Sequence, residues 1–217
     1  MKKIGVLGSG VVGQVLADGL LKHGYEVMRG SREPGKLAAW RDAAGADAAA
    51  STGTFEEAAR WADAVILAVK GTAAEAAIAQ AGPGNLAGKL VMDATNPIAE
   101  APPQNGILQY FTSLGESLME RLQKRAPEAR FVKAFSCVGN AFMVNPDFGG
   151  QKPTMFICGN DAAAKQQTSK LLDQFGWDVE DVGGVEGARA IEPLCILWCA
   201  PGFLRNDWRH AFKVLRA

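Results

Sequence analysis

Histidine is almost missing from this chain: only His23 and His210 occur among 217 residues. Two imidazoles so far apart cannot supply the ligand sets of familiar zinc sites. They also leave few candidates for a general base, and both fall where surface residues are expected, at a helix end and near the last residues. Net charge is absent as well, with 23 basic side chains against 23 acidic ones. That balance excludes the basic field needed by a nucleic-acid binder or a protein held on anionic lipid. No apolar run reaches the roughly 18 residues of a membrane span. Cysteine is scarce: Cys137, Cys158, Cys195 and Cys199. The spacing Cys195-x-x-x-Cys199 is neither a redox nor a zinc spacing, so the four read as small buried hydrophobes in a reducing, cytoplasmic setting. The start, Met1-Lys2-Lys3 and an apolar run, has the outline of a signal peptide. Gly5, Gly8, Gly10 and Gly13 interrupt it, and it is read instead as strand, turn and helix.

What the chain does have is glycine, 25 residues of it, and the first cluster is patterned. Ile4-Gly5-Val6-Leu7 predicts a strand. Gly8-Ser9-Gly10-Val11-Val12-Gly13 then spells G-x-G-x-x-G, and a helix-compatible stretch runs from Val11 to His23. Between strand and helix this motif is a dinucleotide fingerprint. Gly8 permits the tight turn, Gly10 lets backbone approach a pyrophosphate, and Gly13 lets the helix pack on the sheet. The helix start offers free N–H groups and a positive dipole end to the phosphates. The next strand, Tyr25 to Arg29, is followed by Gly30-Ser31-Arg32 in place of the carboxylate that would hold an unphosphorylated ribose. Ser31, Arg32 and Lys36 suit a 2′-phosphate, which makes the expected cofactor NADP(H).

The rest of the chain alternates strand and helix. A helix is expected from Lys36 to Ala44, a short third strand over 46–50, and a helix opened by a Thr54…Glu57 capping box and ending near Trp61. Ala64 to Val69 is a continuous apolar run, as in a strand buried on both faces. A helix to Ala81, a strand from Leu90 to Ala94, a Pro/Ala/Gln/Asn loop from Ala99 to Gly106 and a helix from Ser113 to Arg125 follow. Then come a strand from Arg130 to Phe135 and a loop from Asn145 to Lys152. The last unit reads as strand Thr154–Cys158, helix Asp161–Phe175, strand Trp177–Val182 and an apolar helix over Gly187–Phe203. The expected fold is α/β, a doubly wound parallel sheet over 1–150 with a small C-terminal α/β extension over 151–217. Ligands in such sheets bind beyond the strands' carboxyl ends. That rule adds Val69-Lys70, Thr95-Asn96-Pro97 and Ser136-Cys137-Val138 to the cofactor-binding residues already named. The last helix reads as core packing or as a wall of an acceptor cleft or two-fold interface, with Arg189 and Glu192 placed to pair. Lys70 and Lys133 are possible acids or cation contacts; Lys133, in a strand, could equally be snorkelling.

These features together resemble the reduced coenzyme F420:NADP oxidoreductases, and the N-terminal domain of metalloreductases is similar to that family. The resemblance rests on the fingerprint with Ser31-Arg32 and Lys36, on Thr95-Asn96-Pro97, on Ile157-Cys158-Gly159-Asn160-Asp161 and on Ala188-Arg189…Glu192-Pro193-Leu194. It covers nearly the full chain. It implies a Rossmann domain binding NADP, with hydride passing directly to a deazaflavin in a cleft beside the C-terminal portion. It also implies Ser136 to Val138 as the backbone stretch near the nicotinamide. Two positions depart from the family pattern: Glu33 stands where a second arginine is frequent, and Gly139-Asn140 where a Pro-Ala pair is found. The second lies at the acceptor, so coenzyme F420 or a flavin is the expected co-substrate class rather than one compound. No side-chain nucleophile, catalytic acid or metal is expected, since ring-to-ring hydride transfer needs alignment and exclusion of water. The alternatives are an imine or β-hydroxyacid reductase, whose long helical domain this chain lacks room for, and a non-enzymatic NADPH sensor. A small-molecule acceptor and a homodimer are the expected partners.

Overall fold

The computed structural model describes residues 1–45 and 49–217. Its centre is a sheet of six parallel strands in the order β3-β2-β1-β4-β5-β6. These are β1 (Lys3–Leu7), β2 (Glu26–Gly30), β3 (Ala50–Gly53), β4 (Ala64–Leu67), β5 (Leu90–Asp93) and β6 (Arg130–Lys133). The order reverses at β1 and β4, which is the doubly wound arrangement with its switch point beside the glycine turn. β4 and β5 are buried at every position, and their apolar run, which gives way only to Asp93 at the end of β5, follows from helices on both faces.

One face carries α1 (Val11–Lys22) and α2 (Ala38–Ala44), through Leu16, Leu20 and Trp40. The other carries α3 (Phe55–Trp61), α4 (Gly71–Ala81), the single-turn α5 (Pro83–Leu86) and α6 (Leu118–Arg125), through Phe55, Ala74, Leu86 and Leu122. α3 opens with the expected capping box, Thr54 accepting from the Glu57 N–H at 3.1 Å and Glu57 from the Thr54 N–H at 2.7 Å. A second parallel pair, β7 (Thr154–Ile157) and β8 (Asp178–Asp181), joined by α7 (Ala162–Gln174), follows β6. It is tied to the main sheet by a bridge between Lys133 and Cys158. Met155, Leu171 and Phe175 of this unit share one apolar cluster with Ile4 and Leu16. Two helices end the chain's regular structure, α8 (Ala188–Ile191) and α9 (Pro193–Arg205).

Four local expectations are corrected. The third strand lies at Ala50–Gly53 rather than 46–50, of which 46–48 lie outside the described residues. α6 begins at Leu118, not Ser113, because Ser117 and Glu120 form a second capping box that fixes the start. The helix expected over Gly187–Phe203 is two, broken at Glu192–Pro193. The stretch taken as a loop from Ala99 to Gly106 is one arm of a hairpin. Ile98 pairs with Tyr110 and Gln104 with Ile107 across Asn105-Gly106. Both turn residues have positive φ, 50° and 81°, as a two-residue Asn-Gly hairpin turn requires.

Candidate functional site

The glycine turn leaves β1 with Gly8 at φ 152°, where a Cβ would stand 2.2 Å from the Ala68 carbonyl oxygen. A Cβ at Gly13 would stand 2.6 Å from the Gly8 oxygen. Both positions are closed to side chains because β1, α1 and the end of β4 meet there. Gly10 is the opposite case: a Cβ would meet nothing within 4 Å. It faces open space at the start of α1, where unpaired helix N–H groups converge.

Two adjoining cavities open from this turn. The first, about 280 Å³, lies toward β2 and is lined by Ser9, Gly10, Ser31, Arg32, Lys36 and Lys70. The second, about 560 Å³, lies toward β5 and is lined by Val11, Val12, Val69, Thr95, Asn96 and the hairpin residues Ile98 to Glu100. Gly10, Val69 and Lys70 belong to both. β4 stops at Leu67, so Ala68 and Val69 leave the ladder and become cavity wall. The two rims interlock at Gly71, where a Cβ would stand 2.0 Å from the Asn96 carbonyl oxygen.

The first cavity carries most of the charges. Arg32 is exposed and has no ion-pair partner among the described residues. Lys36 is not free: Glu33 holds its ammonium at 2.9 Å, and Glu33 lines the cavity too. That pair lowers the Glu33 carboxyl pKa from its ordinary value, Lys36 acting first and Arg32 adding to it. The Ser31 hydroxyl accepts from the Glu33 N–H at 3.2 Å, which leaves its own proton to donate.

The second cavity is walled by apolar side chains and backed by buried polar ones. Asn96 donates to the Ser136 carbonyl at 2.8 Å, while Asn96 Oδ1 and Ser136 Oγ are both buried without a partner. Ser136, Cys137 and Val138 are buried and stand behind Asn96 rather than on the cavity wall. Pro97 likewise roots the hairpin, accepting from the Phe111 N–H at 3.0 Å. Burial pushes the Cys137 thiol up to about 12, so it stays protonated.

Beneath this wall lies a fully buried ion network. Lys133 Nζ is 2.7 Å from Asp93, 2.9 Å from Glu192 and 2.8 Å from the Thr95 carbonyl. Asp93 also accepts from the Thr95 N–H and hydroxyl, at 2.9 and 2.6 Å. Glu192 accepts from the Leu118 and Met119 N–H groups at 3.0 and 3.1 Å, neutralising the start of α6. Burial alone would lower the Lys133 pKa; the two carboxylates outweigh it, and the net shift is upward. Lys133 is therefore neither a snorkelling side chain nor a group open to substrate. Arg189 and Glu192 do not pair with each other. Arg189 turns to Glu120, at 2.9 Å. Neither histidine is a free surface group: His23 is bonded to Asn145 at 3.0 Å, and His210 Nε2 donates to the Trp198 carbonyl at 2.9 Å. Neither lines either of the two cavities. Among the described residues no group of acidic, cysteine and histidine side chains is arranged to hold a metal ion, and no helix is long and apolar enough to cross a membrane.

The sequence profile of the family described as "NADP oxidoreductase coenzyme F420-dependent" matches residues 3–97. Across the whole fold the chain superposes on a candidate F420-dependent NADP-reductase from Arthrobacter sp. FB24. The TM-score is 0.90 and the identity 32%, with 98% of this chain and 99% of the other covered. The chain belongs to the coenzyme F420-dependent NADP oxidoreductase family. Its place there makes it an NADP-dependent oxidoreductase. Rat metalloreductase STEAP3 is 29% identical over 93% of this chain, which spans only 39% of that protein's length. A Streptomyces aurantiacus imine reductase shares the fold, with TM-score 0.68 at 20% identity.

Several cavity residues of this family member went unnoticed in the sequence: Phe55, Gln80 and the hairpin arm Ile98 to Glu100. The Asn105-Gly106 pair was a legible signal for the hairpin. Arg29, read only as a strand residue, turns out to be 1% exposed beneath the glycine turn.

Proposed function

We propose that the protein transfers a hydride between NADPH and a flat flavin- or deazaflavin-type acceptor lying in the second cavity. The observation that carries this reading is the pairing of two unlike cavities across one glycine turn, the first lined by cations and the second walled mainly by apolar side chains. In it Gly8 to Gly13 form the turn around the pyrophosphate, and Ser31, Arg32 and Lys36 hold the 2′-phosphate. Val69, Lys70, Thr95, Asn96 and Pro97, backed by Ser136, Cys137 and Val138, enclose the nicotinamide half. Asn96, whose Oδ1 has no protein partner, lines that cavity and suits a ligand that brings its own amide, as a nicotinamide does.

The bound cofactor supplies the hydride; the protein's part is to align two rings and keep water out. The apolar lining of Val11, Val12, Val69 and Ile98 excludes water, and the buried network fixes Thr95 and so the depth of the cavity. We further propose that residues 151–217 complete the acceptor side, since Glu192 reaches into that network from the C-terminal portion. A flat acceptor rather than a keto acid is favoured because neither histidine lines the cavity and Lys133 is committed to its carboxylates, so that of the acids and bases named from the sequence only Lys70 reaches it.

The test is the decay of NADPH absorbance with a free flavin, a deazaflavin, a ferric chelate, a keto acid or a cyclic imine present. Turnover with a flavin or deazaflavin is the expected result. Turnover confined to keto acids or imines would move the reaction to the reductase class, and binding without turnover on any acceptor would make the protein a sensor.

A further inference from the structure

We propose that Arg29 is a positioning residue that aims the backbone N–H groups of the glycine turn at the pyrophosphate; the inference rests on the dinucleotide reading above. Arg29 lies in β2, and its side chain runs under the turn with 1% of its surface exposed. Both hydrogens of Nη2 are used: one bond goes to the Gly8 carbonyl at 3.1 Å and one to the Gly10 carbonyl at 3.2 Å. No peptide in the described chain is cis. In a trans peptide the C=O and the following N–H point in opposite directions. Drawing the Gly8 oxygen inward therefore turns the Ser9 N–H outward; at Gly10, whose oxygen also accepts from the Gln14 N–H at 3.1 Å, Arg29 adds to the helix's own hold on the outward Val11 N–H. Ser9, Gly10 and Val11 are the exposed residues of the turn, and they line the cavities.

A buried guanidinium is costly unless its surroundings compensate it. Here the indole of Trp40 lies 5.0 Å from the guanidinium carbon, and Trp40 is held by Asp18 at 2.7 Å. Burial lowers the Arg29 pKa and Asp18 partly offsets it. Among the described residues no carboxylate bonds Arg29 directly, and Nε has no partner. The positive charge is thus left largely uncancelled beneath the place where two phosphates would sit, in a medium that screens it less than water does.

This role has a signature different from that of Arg32. A pyrophosphate is common to NADPH and NADH, whereas 2′-AMP carries the 2′-phosphate and no pyrophosphate. Arg29→Met should weaken NADPH and NADH by one shared factor of about 10- to 100-fold, the range for lost bonds to a charged group. It should leave 2′-AMP unchanged. Arg29→Lys keeps the charge, but its single nitrogen falls short of holding both carbonyls, so a smaller shared loss is expected. Dissociation constants are read by fluorescence titration at fixed salt, beside melting curves of the free proteins. Wild-type affinity for both dinucleotides in a folded Arg29→Met protein overturns the proposal. So does a loss that extends to 2′-AMP, which would make Arg29 a general support of the fold, or one confined to NADPH. Should Arg29→Met not fold, Arg29→Lys decides on the same readings, unchanged dinucleotide affinity counting against the proposal. Failure of the wild type to bind either dinucleotide would instead sink the cofactor reading itself.

Discussion

The two cavities that meet at Gly10 are built by different means. The polar rim of the first is local: Ser9, Gly10, Ser31, Arg32 and Lys36 come from a single β-α-β stretch, and all but the buried Ser31 present exposed backbone or an exposed charge. The second is assembled from a distance. Its depth depends on Thr95, which is held by Lys133, which is held by Glu192 from the far end of the chain. The exposed groups on the first side, proposed to hold the cofactor, are expendable for the fold, whereas the supports of the second are part of it. Substitutions on the first side should change affinity and leave stability alone; those under the second should do the reverse.

The largest effect is expected from Lys133→Met. It leaves Asp93 and Glu192 buried and uncompensated, and breaking such a pair costs about 3–5 kcal/mol. Urea unfolding measures it, and a loss under about 1 kcal/mol would break the contrast between the two sides. Next is Gly10→Ala. Its Cβ meets no protein atom, so the melting temperature should hold, while a methyl in the path of the pyrophosphate removes dinucleotide binding. Arg32→Ala should weaken NADPH about 10- to 100-fold and NADH far less, since only NADPH carries the 2′-phosphate. Equal losses for both would show a merely solvated turn. Glu33→Gln sharpens the same side in the other direction. It frees Lys36 and removes a negative charge from the cavity, so NADPH affinity should rise severalfold, with the gain shrinking as salt is added.

The smallest effect is a pH dependence. Glu120 is held at about 2 by Arg189, whose guanidinium bonds it, with the Ser117 box adding to the shift. A carboxylate depressed in the folded state stabilises the fold fully above its ordinary pKa near 4.5 and loses that contribution as pH falls toward about 2. Stability should therefore decline across that window, and Glu120→Gln should flatten the decline. An unchanged slope in the variant would remove Glu120 from the account.

The same contrast explains what could be read from residues alone. The glycine turn, Ser31-Arg32 and the Thr54…Glu57 box are short patterns whose physics is contained in neighbouring residues, and they stand where expected. The α6 start was expected at Ser113 although Ser117-x-x-Glu120 was there to be read. The hairpin was hidden by prolines and alanines flanking Asn105-Gly106. The partners of Lys133, Arg189 and Arg29 were not legible. A charged residue in a strand or helix does not disclose which distant carboxylate or carbonyl the fold will bring to it, and the nearest candidate, Glu192 for Arg189, was the wrong one.

The bond from Glu192 to the first turn of α6 closes a gap of 74 residues, and it sets an order of events during synthesis. Chains grow from the N-terminus, and segments pack as they emerge. The glycine turn and its strands are complete early. Lys133 and Asp93 can then meet while α6 still begins with unmet N–H groups and Lys133 lacks its second carboxylate. Only when α8 has left the ribosome can Glu192 answer both. The first cavity is thus complete well before the second, whose support waits for residue 192.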